Sequence, residues 1–168
     1  MRLRGALVRC GPGMRGVGWP DSPGVRLAAL GAWLGEDLCA SHLTAAWVWA
    51  AAEHPGEPLR LAARAGGSRR SPAGVRRYEL RLGDGELERF GGLPVTTRMR
   101  TLLDLLHDPS GFPDEERHAC RALLARIPDG AERVSARLLE HRRPHRRLAV
   151  QRLGLILAPE PGQPELTR

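Results

Sequence analysis

One stretch constrains the chain more than any other: Gly91-Gly92-Leu93-Pro94-Val95-Thr96-Thr97-Arg98-Met99-Arg100-Thr101-Leu102-Leu103-Asp104-Leu105-Leu106. It reads as a short strand running into a helix. Gly91 and Gly92 permit a tight entry turn. Pro94 has no N–H to give a ladder, so Leu93–Val95 is expected at a sheet edge or a strand end. Thr96 or Thr97 is placed to cap the helix. Beyond it Met99, Leu102, Leu103 and Leu106 follow the helical period and form one apolar stripe. Arg100 and Asp104 are one turn apart and can pair, in the weaker of the two orders for such pairs. The stretch reads as a strand-to-helix corner that builds a core, with no catalytic pattern in it.

The rest of the chain is punctuated accordingly. Leu7–Cys10 reads as a short strand, and Gly11, Gly13, Gly16 and Gly18 are expected to interrupt regular structure after it. A helix is predicted over Gly24–Leu34 with Leu27, Leu30 and Leu34 as its stripe. Leu38–Ala40 is expected as a brief buried strand. Ser41 is expected to cap a second helix, His42–Ala52, whose inner face carries Leu43, Ala46, Trp47 and Ala50. The period then changes to two over Leu59–Ala63 and Val75–Leu82, with Tyr78, Leu80 and Leu82 on one face of the second strand. Helices are predicted over Asp114–Ile127, Gly130–His141 and Leu148–Leu157, with Asp129 and Glu132 resembling a capping box for the middle one. This is an α+β pattern: two helices, a small mixed or antiparallel sheet and a helical C-terminal part. The segment boundaries are 1–22, basic and rich in Gly and Pro; 23–157, the folded body; and 158–168, a tail interrupted by prolines and expected to be disordered.

Composition removes several chemistries. All 26 basic side chains are arginine; there is no lysine. That excludes a P-loop lysine, a Schiff-base lysine and the lysine of a restriction-type nuclease. Cys10, Cys39 and Cys120 are far apart and form no C-x-x-C pair, so neither a zinc ribbon nor a redox motif is supported. No secretory leader pattern is read at the N-terminus, and no apolar run approaches the ~20 residues of a membrane span. A reduced, cytoplasmic protein without membrane contact is expected. The net charge of +7 suits a polyanionic or acidic partner. The candidate contacts for such a partner are Arg69 and Arg70 on a loop, and Arg142, Arg143, Arg146 and Arg147 near the C-terminus.

Candidate catalytic and metal sites read as structural. Ser41, His42 and Asp104 lack a nucleophile elbow, and the serine serves better as a cap. His141 and His145 are one turn apart, but Pro144 breaks the helix that would bring them together. Trp33, Trp47 and Trp49 read as core before they read as stacking platforms. No catalytic residue, metal or cofactor is expected.

Ala40-Ser41-His42-Leu43-Thr44-Ala45-Ala46-Trp47-Val48-Trp49, the strand Leu59–Ala63, the Arg-rich loop at Ser68–Ser71, the strand Val75–Leu82, and Gly92-Leu93-Pro94-Val95-Thr96-Thr97 with Arg100-Thr101-Leu102-Leu103-Asp104-Leu105 occur in that order. This order resembles the AbiEi family, the antitoxins of type IV toxin–antitoxin systems, over residues 24–106 and more loosely to 157. Ser41, His42, Trp47, Pro94, Thr97, Arg100 and Asp104 are its structural motif residues. The resemblance implies a winged helix-turn-helix that binds the operon's promoter, followed by an antitoxin domain. It also implies a nucleotidyltransferase-like toxin as functional partner, countered without a stable complex. Residues 1–22 match at most the wing of the winged domain, so DNA binding is expected to be weak. Two other readings stay open: a truncated or degenerate member without independent activity, and a non-catalytic DNA-binding remnant of an endonuclease-fused branch.

Overall fold

The computed structural model describes residues 6–35, 37–63, 71–83, 85–140 and 143–159. Within them a two-stranded hairpin, β1 (Leu7–Cys10) and β2 (Gly13–Gly16), precedes a mixed five-stranded sheet and six helices. The glycines after Cys10 make the hairpin instead of interrupting it. Gly11 takes φ 54° at the turn, and a Cβ there would stand 2.7 Å from the Trp47 ring. Gly13 passes against the Ala29 carbonyl just as closely. The hairpin tip is thereby seated on the body, with Cys10 buried.

The large sheet has the order β5-β4-β3-β7-β6. β3 (Leu38–Ala40) and β4 (Leu59–Ala63) lie where the residue pattern puts them, and a further strand, β6 (Leu87–Phe90), precedes the Gly91-Gly92 turn. β5 (Val75–Glu79) ends three residues before the predicted Leu82 and runs parallel to β4 at the sheet edge. β7 (Leu93–Thr96) corrects the edge expectation for Pro94: it lies between β6 and β3. Proline is tolerated because the parallel contact with β3 falls at Ala40↔Val95, one residue beyond it. Gly91 (φ 56°) and Gly92 (φ 83°) form the two-residue hairpin turn from β6, both in the left-handed region that such turns require.

α1 (Pro23–Ala28) is shorter than the predicted helix. Its continuation is a run of tight turns that still buries Leu30 and Leu34. α2 (His42–Val48) is also shorter, ending where Ala50 turns to φ 55°. α3 (Arg98–His107) starts as expected, with Thr97 Oγ1 accepting from the Arg100 N–H at 3.3 Å. α4 (Asp114–Leu124), α5 (Gly130–Glu140) and α6 (Arg146–Leu157) complete the chain. Asp129 has φ 52°, left-handed where an N-cap residue is extended, so no capping box forms.

α3 is the centre of the packing. It touches α2, α4, α6 and β7, and every residue from Arg100 to Leu106 is buried. Trp47 and Trp49 are both core and face different neighbours. Trp47 lies against the hairpin tip and under the Arg26 guanidinium, 5.4 Å from its ring centroid. Trp49 donates its Nε1–H to Thr96 O at 2.9 Å and packs edge-on to Phe90. Cys10, Cys39 and Cys120 are buried and form no disulfide. Among the described residues no helix is long and apolar enough to cross a membrane. The tail beyond Pro159 lies outside the described residues.

Candidate functional site

Two strand–helix units stand side by side. β3 leads through Ser41 into α2, and β7 leads through Thr96 and Thr97 into α3, with the strands parallel at Ala40↔Val95. Ser41 occupies the N-cap position but makes no cap hydrogen bond. Its hydroxyl donates instead to Arg60 O at 3.3 Å. With the hydroxyl proton so used, the 3.0 Å contact to His42 requires His42 Nδ1–H to donate to Ser41 Oγ. His42 Nε2 is then an acceptor. The ring stacks on Tyr78 with centroids 3.8 Å apart, and the His42 backbone has φ 49°. Burial holds the imidazole well below its ordinary pKa, so it is neutral.

The buried polar groups form two networks along α3. In the first, Arg100 Nε donates to Asp104 Oδ1 at 2.8 Å, and Nη1 donates to Glu86 Oε2 at 2.5 Å and to Arg81 O at 2.9 Å. Arg143 bridges the same two carboxylates, at 3.3 Å to Glu86 and 3.8 Å to Asp104. Burial raises Asp104 to about 6 against the opposing pull of Arg100 and Arg143. Its second oxygen, Oδ2, is buried without a hydrogen-bond partner. Glu86 is also partly desolvated, but the Gly83 N–H and Arg100 outweigh that and lower it.

The second network gathers at the end of α3. Asp108 accepts from Tyr78 Oη at 2.9 Å, from the Ser110 N–H at 2.9 Å and from the Ser110 hydroxyl. These bonds overcome desolvation and hold Asp108 below the usual carboxylate range. Arg60 pairs with Glu116 at 2.6 Å and reaches Asp108 at 3.5 Å. Burial, and then the bond to Asp108, raise Tyr78 to about 12. Arg152 closes the helix by donating to the carbonyls of Leu105, Leu106, Asp108 and Gly111.

A cleft of about 860 Å³ runs along the polar face of α3. Its floor carries His42, Asp104 and His107. One wall carries Tyr78–Arg81, Gly83 and Glu86, and the other is Arg137 of α5 with Arg143–His145. His107 Nδ1 lies 2.7 Å from Leu103 O, which can only accept, so Nδ1–H donates and Nε2 is left as an acceptor. A second cleft of about 940 Å³, near Trp33 and Pro58, has no orphaned buried polar atom on its walls among the described residues.

The candidate residues divide plainly. Arg100, Asp104 and His42 line the cleft. Ser41 supports His42 from beneath, and Trp47, Pro94 and Thr97 are framework. Ser41, His42 and Asp104 make no relay, because Asp104 is paired with Arg100 and the carboxylate whose charge acts on His42 is Asp108. Arg143 is not a free polyanion contact: its charge is turned inward to Glu86 and Asp104. Arg146 and Arg147 stand at the start of α6, the first half-buried and the second exposed. Arg69, Arg70 and Arg142 lie outside the described residues. Among the described residues no three His, Cys, Asp or Glu side chains gather as a metal requires.

Sequence reasoning missed Tyr78, Glu86, His107, Asp108, Arg60, Glu116 and Arg152 as site residues. The one legible signal was the second stripe on α3, Arg100, Asp104 and His107, at the same spacing as the leucines. Comparison with family models, with curated proteins and with solved structures returns no match.

Proposed function

We propose that this chain is a non-enzymatic, antitoxin-like or transcription-regulatory protein of the type IV toxin–antitoxin kind. One observation carries the reading. Much of the AbiEi resemblance falls on the paired units β3–α2 and β7–α3, and most of the polar groups there spend their hydrogen bonds inside the fold, His42 Nε2 and Asp104 Oδ2 at the cleft being the exceptions. Trp49 Nε1–H is given to Thr96 O, the single Thr101 hydroxyl proton is shared between the carbonyls of Thr96 and Thr97, Ser41 Oγ–H goes to Arg60 O, and Arg100 Nε–H to Asp104. A motif consumed in this way specifies a scaffold. The ordinary use of such a scaffold is to present a surface, and reaction centres are built differently, with a nucleophile held against a base.

The test is co-expression with a nucleotidyltransferase-like toxin encoded beside this gene. Growth restored by this chain, with the two proteins migrating separately in gel filtration, is the expected result. Toxicity unchanged at full soluble expression refutes the reading. DNA binding is expected to be weak, similar on all sequences and steeply salt-dependent, because arginines on loops and at helix starts neutralise phosphates without reading base edges. Replacing Arg146 and Arg147 by glutamine lowers it evenly and flattens the salt slope. Tight binding to one promoter at physiological salt overturns that part.

A further inference from the structure

We propose that the cleft beside α3 binds a nucleoside phosphate, with an amino-bearing base on its floor and the phosphate at its rim. The floor is made of acceptors that lack donors. Asp104 Oδ1 is taken by Arg100, while Oδ2 is buried with no partner. His42 and His107 each give their Nδ1–H away, to Ser41 Oγ and Leu103 O, and keep an Nε2 lone pair. A ligand completing this floor must bring several N–H donors. An unpaired buried acceptor costs free energy that such a donor recovers.

The rim has the opposite chemistry. Every carboxylate lining the cleft has a cation beside it: Glu79 has Arg77, Glu86 has Arg100 and Arg143, Asp104 has Arg100, and Asp108 has Arg60. Arg81 and Arg137, both exposed, line the same cleft with no carboxylate partner among the described residues. Their guanidinium forks suit a phosphate, which they can grip with paired N–H groups. The ligand therefore needs donors at one end and an anion at the other. A free amino acid has both, but its ammonium and carboxylate sit on one carbon, whereas the acceptors lie on α2 and α3 and the guanidiniums on Arg81 and α5. A nucleotide matches the usual size of such sites. Guanine is the base that presents the most donors on one edge, a ring N–H beside an amino group. Uracil, with one ring N–H between two carbonyls, fits the floor worst.

This inference stands independently of the antitoxin reading. Its test is calorimetric titration of the full chain with GMP, UMP, guanosine and inorganic phosphate. GMP is expected to bind at least ten-fold more tightly than each of the other three. Arg81→Gln and Arg137→Gln are exposed changes that leave the fold alone, and each weakens GMP about ten-fold, the loss of one charge-assisted contact. Asp104→Asn replaces Oδ2 or Oδ1 by an N–H donor, so it weakens GMP and narrows the gap to UMP. If that variant does not fold, His107→Phe, which removes a second floor acceptor, gives the same reading. Equal binding of phosphate and GMP reduces the site to a surface anion patch and overturns the proposal. So does guanosine binding as tightly as GMP, or no binding of any nucleotide at millimolar concentration.

Discussion

Replacing Arg152 by methionine is the sharpest probe of how this fold is held. The side chain is 4% exposed, and its acceptors are all backbone carbonyls: Asp108 O at 2.6 Å, Leu105 O and Leu106 O at 3.2 Å, and Gly111 O. These include carbonyls of the last turn of α3, which have no partner within the helix. Methionine keeps the apolar stem and its packing near Phe112 but removes every donor. A net hydrogen bond from a charged group is worth about 1.5–3 kcal/mol, and two of the four are close contacts. The guanidinium also sits at the negative end of the α3 dipole, worth up to ~2 kcal/mol when buried. Against this stands the cost of desolvating the cation, several kcal/mol, which the variant no longer bears. The balance is a loss of about 4 kcal/mol, a large part of the ~5–15 kcal/mol that holds a domain together. Urea unfolding followed by tryptophan fluorescence measures it. Arg152→Lys should lose about half as much, since one ammonium cannot serve both Asp108 O and Gly111 O. A methionine variant within 1 kcal/mol of the parent would show that water replaces the guanidinium, and would refute the capping argument.

Three further outcomes are expected. Trp47→Ala should cost about 3–5 kcal/mol, as for other buried aromatics, because the ring fills the space under the Gly11 turn; an unchanged melting temperature contradicts that placement. Asp104, at about 6 in the fold and ~3.9 unfolded, binds its proton more tightly when folded, so its contribution falls as pH rises from about 4 to about 6 and stays low above, by about 3 kcal/mol in all. Asp104→Asn should remove that slope, and parallel stability–pH curves for parent and variant would sink the assignment. Arg100→Lys should lose about 2 kcal/mol despite keeping the charge, because an ammonium cannot hold Asp104, Glu86 and the Arg81 carbonyl together; urea midpoints for Arg100→Lys equal to the parent's would show that charge alone suffices.

What could be read from the residues was local. The leucines of α3, the bounds of β4 and the Thr97 cap depend on neighbours within a turn or two, and they folded as the pattern implied, although β4 is buried at Ala62 where a two-residue period would expose it. Pro94 misled because its tolerance depends on where β3 happens to meet β7. Ser41 misled because Arg60 O, nineteen residues on, competes for its hydroxyl. The site was hidden for the same reason. Arg100 finds Glu86 fourteen residues away, Arg60 finds Asp108 forty-eight away, and Arg143 finds Glu86 fifty-seven away. Single-residue patterns carry no trace of such pairs until the sheet order and the α5–α6 junction are known.

The absence of lysine acquires a meaning that net charge concealed. Taken as a sum, +7 points outward, to a polyanion. Yet Arg60, Arg100, Arg143 and Arg152 are turned inward, and each holds two or more acceptors at once. A planar fork spreads five N–H groups over three nitrogens and so reaches acceptors on well-separated elements, whereas the three donors of an ammonium radiate from one atom. These arginines join elements that are remote in sequence: α3 to the chain before β6, the α5–α6 junction to α3, and α6 to the end of α3. Buried ion pairs of this kind add little net stability, since desolvation offsets attraction, but a misplaced element leaves a buried charge unpaired. They therefore act chiefly on which arrangement forms. On that argument the charge available for a partner is smaller than the composition implies. It is also unevenly placed, with Arg81 and Arg137, which have no carboxylate partner among the described residues, lining the cleft whose floor is short of donors.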